Sequence, residues 1–339
     1  MVAYVAFCLL SGIWLRAQGL PIGVFAGEAA VFVLPAVFYL VGRMKDSGNG
    51  FYKGFLWGLF IICGVGLLFY IWAPQFYLDY LYDWSYISLA DAPTMRVRMN
   101  SVVGCTVLGS ISVVGMLAGM ALFKEGKNKK LGIAGFIVGL IFAFLSNQRS
   151  AMVAALLVAA YMNVLIFFSF KLFKKKYFFI EIGVIVLAII AMLVISPGAV
   201  LKVYYRLASL PQAIGERSEQ WVAAVNMMYS SWIGNGLGAN GHRALGIEGV
   251  KVVADGGLVK MFCELGVVGV SIFAYLLLLI YKKSIKCFSE CCVELGIISI
   301  FLLQSIGSNV FSFQLATPLF WYAVGRCVGV IHNGEDSES

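Results

Sequence analysis

Apolar runs long enough to cross a lipid bilayer recur along the whole of this sequence. A helix needs roughly 17–25 mostly apolar residues to span the hydrocarbon core of a membrane. Runs of about this length cover residues 1–16, 22–42, 54–73, 100–122, 131–147, 150–170, 177–196, 257–280, 291–310 and 312–331. The sequence therefore predicts an all-α bundle of about ten transmembrane helices that forms one integral membrane domain over residues 1–339.

Composition supports a lipid environment and excludes several classes of protein. Charged residues make up 12% of the chain, whereas a soluble domain carries roughly 25%. So few charges cannot cover a water-facing surface. The net charge of +8 is scattered between apolar runs, which does not favour nucleic-acid binding and instead suggests topology signals.

Lysines mark one side of the predicted bundle. Their clusters follow the second, fourth, sixth and eighth predicted spans, so all of them fall on the same side. They are Lys45 and Lys53, then Lys124, Lys127, Lys129 and Lys130, then Lys171, Lys174, Lys175 and Lys176, and finally Lys282, Lys283 and Lys286. By the positive-inside rule this side is the cytoplasm, and both termini are expected there.

Arginines collect on the opposite, outer side. Only Arg43 and Arg326 are predicted on the inner side. The outer arginines are Arg16, Arg96, Arg98, Arg149, Arg206, Arg217 and Arg243. A planar guanidinium can bind phosphate through two parallel hydrogen bonds, which an ammonium cannot do. This distribution indicates a phosphate-bearing ligand at the outer face.

The connection at residues 197–255 is the longest outer loop. Helical spacing of apolar residues predicts two short amphipathic helices that lie on the membrane surface. The first contains Val200, Val203, Tyr204 and Leu207, and the second runs from Glu216 through Trp221, Val222, Val225 and Met228. A glycine-dense turn at 234–243 follows them.

Three outer arginines are candidates for a site. Arg149 ends the polar turn that joins the fifth and sixth spans, where a charge near hydrocarbon is costly and often functional; the alternative is a side chain that snorkels to water. Arg206 and Arg217 lie on the surface helices, where contacts to anionic lipid headgroups are equally open. Glu216 and Glu219 flank Arg217, so a local ion pair is a further alternative.

His242 is the candidate base on the outer face. Histidine accepts a proton near neutral pH, although it could also be a turn residue that only hydrogen-bonds. A carboxylate such as Glu216, Glu219 or Asp255 is the alternative base. Asp255 is also positioned to cap the helix that begins after it. Glu264, two turns further in, is expected to face the protein interior.

The order of these motifs resembles the O-antigen ligase/polymerase superfamily over roughly residues 130–270. The matching segments are Ser146–Met152, Glu216-Arg-Ser-Glu-Gln-Trp221, Gly234-Asn-Gly-Leu-Gly238, Gly241-His242, Asp255-Gly256 and Glu264-Leu-Gly266. The resemblance implies a metal-independent and cofactor-free glycosyltransferase of the GT-C type in the bacterial inner membrane. Its donor would be a glycan on undecaprenyl pyrophosphate, and its partners would include a flippase and a chain-length regulator.

The resemblance also implies roles for individual residues. Arg149 and Arg217 would hold the pyrophosphate, and His242 would act at the acceptor hydroxyl. The remaining candidate substrate-binding residues are Arg206, Arg243, Arg96, Arg98, Asp255 and Glu216. One departure is that Ser146-Asn-Gln-Arg149 replaces the family's usual Ser-x-Ser-Arg.

A surface-polysaccharide polymerase is the function that this resemblance favours. The Gly-His and Asp-Gly pairs look more like polymerases than ligases, whose His-Asn pair leads into the next helix. A ligase that moves finished glycan onto lipid A-core or protein is the first alternative. A transporter for the same lipid-linked glycan is the second, because transporters share the need to bind that lipid.

The lysine pattern makes a direct prediction about topology. Alkaline phosphatase fused after Gly246 is expected to be active, and the same enzyme fused after Lys176 is expected to be inactive, because it folds only outside the cytoplasm. Green fluorescent protein fused at the same two points should give the reverse pattern. Active phosphatase at Lys176 would contradict the assigned orientation.

Overall fold

The computed structural model describes residues 1–44, 47–72, 75–77, 79, 99–126, 128–164, 179, 182–183, 186–187, 190, 194, 204–205, 208, 210–248, 252–253 and 255–338. Within these residues every regular element is helical. The α-helices are α1 (Val2–Ala17), α2 (Ile22–Phe32), α3 (Phe38–Arg43), α4 (Ser47–Trp72), α5 (Cys105–Glu125), α6 (Lys129–Leu145), α7 (Arg149–Val164), α8 (Leu210–Asn226), α9 (Gly257–Ser284), α10 (Phe288–Gly307) and α11 (Thr317–Glu338). Turns of 3-10 helix occur at Leu34–Val37, His242–Ala244 and Val310–Ser312.

Five helical segments in the described part of the chain are long and apolar enough to cross a membrane. They are Ile22–Arg43, Gly50–Trp72, Cys105–Glu125, Gly257–Ser284 and Phe288–Gly307. Three shorter apolar helices accompany them, at Val2–Ala17, Arg149–Asn163 and Thr317–Ile331. The chain is therefore a helical membrane protein, as predicted. The count of about ten spans and the GT-C architecture stay predictions.

Predicted and observed boundaries differ where local chemistry interrupts an apolar run. Pro35 lies in a 3-10 turn between α2 and α3, since proline lacks the N–H that an α-helix needs. The last predicted span begins at 312, but α11 begins at Thr317, whose hydroxyl donates to the carbonyl of Phe311. The predicted span at 177–196 and the first predicted surface helix lie mostly outside the described residues.

The chain divides into two compact units. The first unit comprises Met1–Lys45 and Pro211–Ser339, and the second comprises Asp46–Leu210. The first unit thus joins the two ends of the chain. The prediction that the whole chain forms one membrane domain stays a prediction.

Helices α5 and α6 of the second unit pack with their backbones in direct contact. A Cβ atom added to Gly119 would strike the carbonyl oxygen of Gly132, and a Cβ atom on Gly132 would lie 2.5 Å from the carbonyl oxygen of Gly119. Small residues permit this close approach, which drives helix association in lipid through van der Waals contact. The result is that α5 is buried along most of its length.

An aromatic cluster forms the core of the first unit. Its members come from α1, α2, α9, α11 and the 3-10 turn before α11, and they are Tyr4, Phe32, Phe273, Phe311, Phe320 and Trp321. Ring centroids lie 5.1 Å apart for Tyr4 and Phe273 and 5.0 Å apart for Phe311 and Phe320. Such pairs add roughly 0.5–1.5 kcal/mol each beyond burial of their area. The cluster therefore packs α1, α2, α9 and α11 together in the first unit.

The glycine contact between α5 and α6 predicts a selective effect on stability. Gly132→Leu is expected to lower the free energy of unfolding by about 3 kcal/mol, because the added side chain pushes the two backbones apart. Gly58→Leu is the matched control, since a Cβ at Gly58 on α4 meets nothing within 4 Å. Thermal unfolding of the purified protein in detergent measures both. Equal melting temperatures for the two variants would show that the contact contributes nothing.

Candidate functional site

The glycine-rich stretch of the sequence forms a buried loop in the first unit. This glycine loop, residues 234–241, is buried throughout its length. It packs against α1, where the Leu237 N–H donates to the Ser11 hydroxyl at 3.0 Å. Its asparagines bond to each other, since the Asn235 amide donates to the Asn240 side-chain oxygen at 3.0 Å. The predicted turn is confirmed, but its burial was not evident from composition.

Helix α9 is broken at Gly266 beside the glycine loop. Gly266 has φ 61° and ψ −170°, a conformation that residues with side chains rarely adopt. The break lies in the candidate membrane span Gly257–Ser284. Backbone groups that leave a helix in apolar surroundings must find other partners, because an unsatisfied group costs several kcal/mol there.

The chain around the glycine loop supplies these partners. The N–H groups of Asn235 and Gly236 donate to the carbonyls of Cys263 and Glu264, each at 2.8 Å. In the other direction, the N–H of Val267 donates to the Ser231 carbonyl at 2.9 Å. The N–H of Val268 likewise donates to the Trp232 carbonyl at 3.0 Å. The broken helix and the loop therefore form one hydrogen-bonded structure.

Three buried charged residues lie under the glycine loop and form the Glu28–Lys260–Glu264 cluster. The Lys260 ammonium forms an ion pair with Glu28 of α2, lies 3.4 Å from the Glu264 carboxylate, and donates to the Ser312 hydroxyl at 2.8 Å. Glu264 accepts the N–H of Asn240 at 3.2 Å. The predicted inward orientation of Glu264 is confirmed, since it is 2% exposed.

The turn that carries His242 and Arg243 follows the glycine loop directly. Both residues lie in the 3-10 turn His242–Ala244 and both are exposed. The turn packs against α2. The side chain of Arg243 crosses α2 at Gly27, where an added Cβ would collide with the guanidinium. The structure thus places both predicted residues together at the surface of the first unit.

Arg217 and Asp255 form a partly exposed ion pair. The Arg217 Nη2 atom lies 2.7 Å from the Asp255 Oδ2 atom. Trp221, one turn further along α8, donates its indole N–H to the Asp255 carbonyl at 2.6 Å. The predicted local ion pair is wrong for Glu219, and for Glu216 it stays a prediction because that side chain lies outside the described residues. The predicted capping role of Asp255 is also wrong, since the N-cap of α9 is Gly256 without a side-chain bond.

An open apolar groove lies near this ion pair, because Trp221 both lines the groove and donates to the Asp255 carbonyl. It has a volume of about 490 Å³ and lies between α8 and the first turns of α9. Trp221, Val222, Val225 and Asn226 line it from α8, and Leu258, Val259 and Phe262 line it from α9. The sequence predicted the apolar face of α8 correctly, and this face now forms one wall of the groove.

Arg149 belongs to the second unit. It is the first residue of α7 and is half-buried. The preceding residues Ser146, Asn147 and Gln148 are buried, and Asn147 has φ 50°. Asparagine tolerates this left-handed conformation better than most residues do. The predicted tight turn between the fifth and sixth spans is thereby confirmed.

Several predicted site residues cannot be placed. Arg96, Arg98 and Arg206 lie outside the described residues, and so does the side chain of Glu216. Their proposed contacts with substrate stay predictions. Among the placed residues, the structure pairs Arg217 with Asp255 and sets His242 beside Arg243.

Sequence reasoning missed Glu28. It is the single charged residue between 22 and 42, and a carboxylate inside an apolar span usually faces the protein interior for a functional or pairing reason. That signal was sufficient to single out Glu28. Its partner Lys260 lies 232 positions away along the chain, so the pairing itself required the fold.

Comparison with protein-family models and with curated proteins finds no match to this chain.

The junction between glycine loop and broken helix predicts joint protection of its backbone. In hydrogen–deuterium exchange, the amides of Asn235, Gly236, Val267 and Val268 are expected to exchange slowly, because all four donate to backbone carbonyls across the junction. Gly266→Ala is expected to release all four together, since its Cβ would strike the Trp232 carbonyl. Loss of protection in only one of the two segments would show that they are independent.

Proposed function

We propose that this membrane protein is a glycosyltransferase that polymerises glycan repeat units carried on a lipid pyrophosphate. The observation that carries the proposal is the Arg217–Asp255 ion pair, which Trp221 connects to the apolar groove. A fixed cation near an apolar groove suits a ligand with an anionic head and a hydrocarbon tail. A polyprenyl-pyrophosphate-linked glycan is such a ligand.

The geometry of Arg217 is compatible with phosphate binding. Its guanidinium has five N–H donors, and the Asp255 carboxylate engages Nη2. The side chain is 22% exposed, so part of the guanidinium is accessible, although Nη1 lies against Gly307. Asp255 orients the guanidinium while leaving it able to bind two phosphate oxygens in parallel. Volumes of roughly 300–1,000 Å³ are typical of ligand pockets, and the groove falls within this range at about 490 Å³.

The proposed reaction uses these groups in a single displacement. The acceptor hydroxyl oxygen attacks the anomeric carbon of the donor glycan as the bond from that carbon to the pyrophosphate oxygen breaks. The pyrophosphate leaves with additional negative charge, which a guanidinium near a low-dielectric boundary stabilises more than bulk water does. His242 takes the acceptor proton as general base, and the exposed Arg243 beside it offers a second cation.

Arg149 is proposed as a further phosphate ligand on the strength of the family resemblance. The preference for a polymerase over a ligase also rests on that resemblance, through Gly241-His242 and Asp255-Gly256. A gene deletion separates the two. A deletion strain of a polymerase retains single repeats on the lipid core, whereas a deletion strain of a ligase has no glycan on the core.

Transport of the same lipid-linked glycan is a second candidate, which the break in α9 favours. Broken helices with buried charges near them are typical of transporter binding sites. Reconstituted vesicles distinguish the candidates, because a transporter moves lipid-linked glycan across the bilayer without lengthening it. A glycosyltransferase lengthens the glycan and releases the lipid pyrophosphate.

The reaction predicts which side chains control polymer synthesis. His242→Ala is expected to slow glycan transfer roughly a hundredfold, the usual effect of losing a general base. Arg217→Lys is expected to shorten the polymer, because an ammonium cannot form two parallel bonds to phosphate. Chain length on gels and transfer rate with purified donor measure these effects.

Glu219→Gln is the matched control for Arg217→Lys. Glu219 lies on the same helix and is exposed, so its replacement is expected to leave chain length unchanged. Protein levels in the membrane must be equal for all variants. Normal polymer from both His242→Ala and Arg217→Lys would refute the proposed reaction.

A further inference from the structure

Arg243 has an exposed guanidinium that lies close to buried negative charge. The guanidinium crosses Gly27, and the next residue along α2 is Glu28. Arg243 and the Glu28 carboxylate attract each other electrostatically. Among the described residues, however, no carboxylate lies within the 4.0 Å of an ion pair with Arg243. Another group must therefore compete with Arg243 for an ion pair with Glu28.

Lys260 is the group that competes for Glu28. Its ammonium pairs directly with the Glu28 Oε1 atom. Ser312 reinforces the pair, since its hydroxyl donates to the same Glu28 oxygen at 2.7 Å and accepts from Lys260 at 2.8 Å. These three groups come from α2, α9 and the 3-10 turn before α11, and the two ionic side chains are almost fully buried. In this low-dielectric setting the charges interact strongly.

Glu264 is satisfied separately. It accepts the backbone N–H of Asn240 in the glycine loop, in addition to its contact with Lys260. Hydrogen bonds of this kind stabilise a carboxylate without a second cation. The closest carboxylate contact of Lys260 is therefore with Glu28.

We propose that Lys260 is a positioning residue that neutralises Glu28 and so keeps the Arg243 guanidinium available for an anionic ligand. The ligand class is a phosphate or pyrophosphate ester, because a free guanidinium at the surface binds such groups with two hydrogen bonds. The inference rests on the proposed function, in which Arg243 stands beside the base His242 and faces the donor.

Lys260 partly balances the charge of the two buried carboxylates, Glu28 and Glu264. An apolar residue in place of Lys260 would leave two buried carboxylates, and Arg243 would be the nearest cation to pair with them. Replacing both members of a buried pair with neutral residues of similar shape is often tolerated, whereas removing one member is not. Loss of Lys260 alone therefore differs in effect from joint loss of Lys260 and Glu28.

A double-mutant cycle on the purified full-length protein tests this proposal, with farnesyl pyrophosphate as the probe. Lys260→Met is expected to weaken binding about tenfold, as Arg243→Gln does, because Glu28 then captures Arg243. The double variant Lys260→Met with Glu28→Gln should bind within about twofold of wild type, since it restores the original net charge. Combining Lys260→Met with Arg243→Gln should weaken binding no further than Arg243→Gln alone.

A structural role alone would give a different pattern. If the double variant bound as weakly as Lys260→Met, or if Lys260→Met bound like wild type, the proposal would be wrong. Glu294→Gln is the control for losing a buried carboxylate, because Glu294 pairs with Arg326 at 3.8 Å at the other end of the α9–α10 hairpin. It is expected to bind the probe normally.

Ser312 offers a second test that keeps Lys260 in place. Ser312→Asp adds a negative charge beside the Glu28–Lys260 pair and is expected to weaken binding several-fold. Ser312→Asn has nearly the same shape without the charge and should bind like wild type. Equal affinity for these two variants would overturn the proposal even if Lys260→Met failed to fold.

The outcomes also separate this inference from the proposed function. If wild type and Arg243→Gln bind farnesyl pyrophosphate equally, Arg243 is not an anion ligand and the inference fails. If the binding cycle behaves as expected but the deletion strain still makes normal polymer, the polymerase function fails and the role of Lys260 stands.

Discussion

The first unit depends on how the backbone is satisfied where α9 breaks at Gly266. A helix that ends inside an apolar segment exposes carbonyl and N–H groups that lipid cannot bond. Here the chain from Ser231 to Gly236 supplies both kinds of partner, with four hydrogen bonds of 2.8–3.0 Å. The same four hydrogen bonds therefore satisfy the broken helix and hold the segment from Ser231 to Gly236.

This mutual support fixes the position of the surface residues. The glycine loop ends at Gly241, and the turn with His242 and Arg243 follows without an intervening residue. Glu264, two residues before the break, holds the loop through the N–H of Asn240, and it shares Lys260 with Glu28. Helix break, buried charges and exposed turn are therefore one connected structure.

The Arg217–Asp255 pair joins the same structure from another direction. Asp255 directly precedes Gly256 and α9, and Trp221 ties α8 to its backbone. Arg217 is thus connected, through Asp255, to the helix that carries Lys260 and Glu264. An amphiphilic ligand in the groove between α8 and α9 would meet no charged side chain along its walls, because six of the seven lining side chains are apolar or aromatic and the seventh is Asn226.

Sequence alone determined the features that depend on local pattern. Long apolar runs predict helices because each residue in a span must satisfy its backbone within the helix, and α1, α5, α6 and α9 lie close to the predicted positions. Helical spacing of Trp221, Val222 and Val225 predicted the apolar face of α8, although the predicted Met228 lies beyond its end at Asn226. The depth of Glu264 in its span predicted burial. These properties require no knowledge of distant residues.

Only the tertiary structure decided which charged groups meet. Arg217 has Glu219 two positions away, yet it pairs with Asp255 at a separation of 38 residues, because side chains two apart on a helix do not face each other. Glu28 and Lys260 are 232 residues apart, and the local sequence around either residue does not predict that the two form an ion pair. Local periodicity specifies where a helix forms and which face is apolar; the identity of a buried charge's partner depends on how the helices pack, and that information resides in the fold.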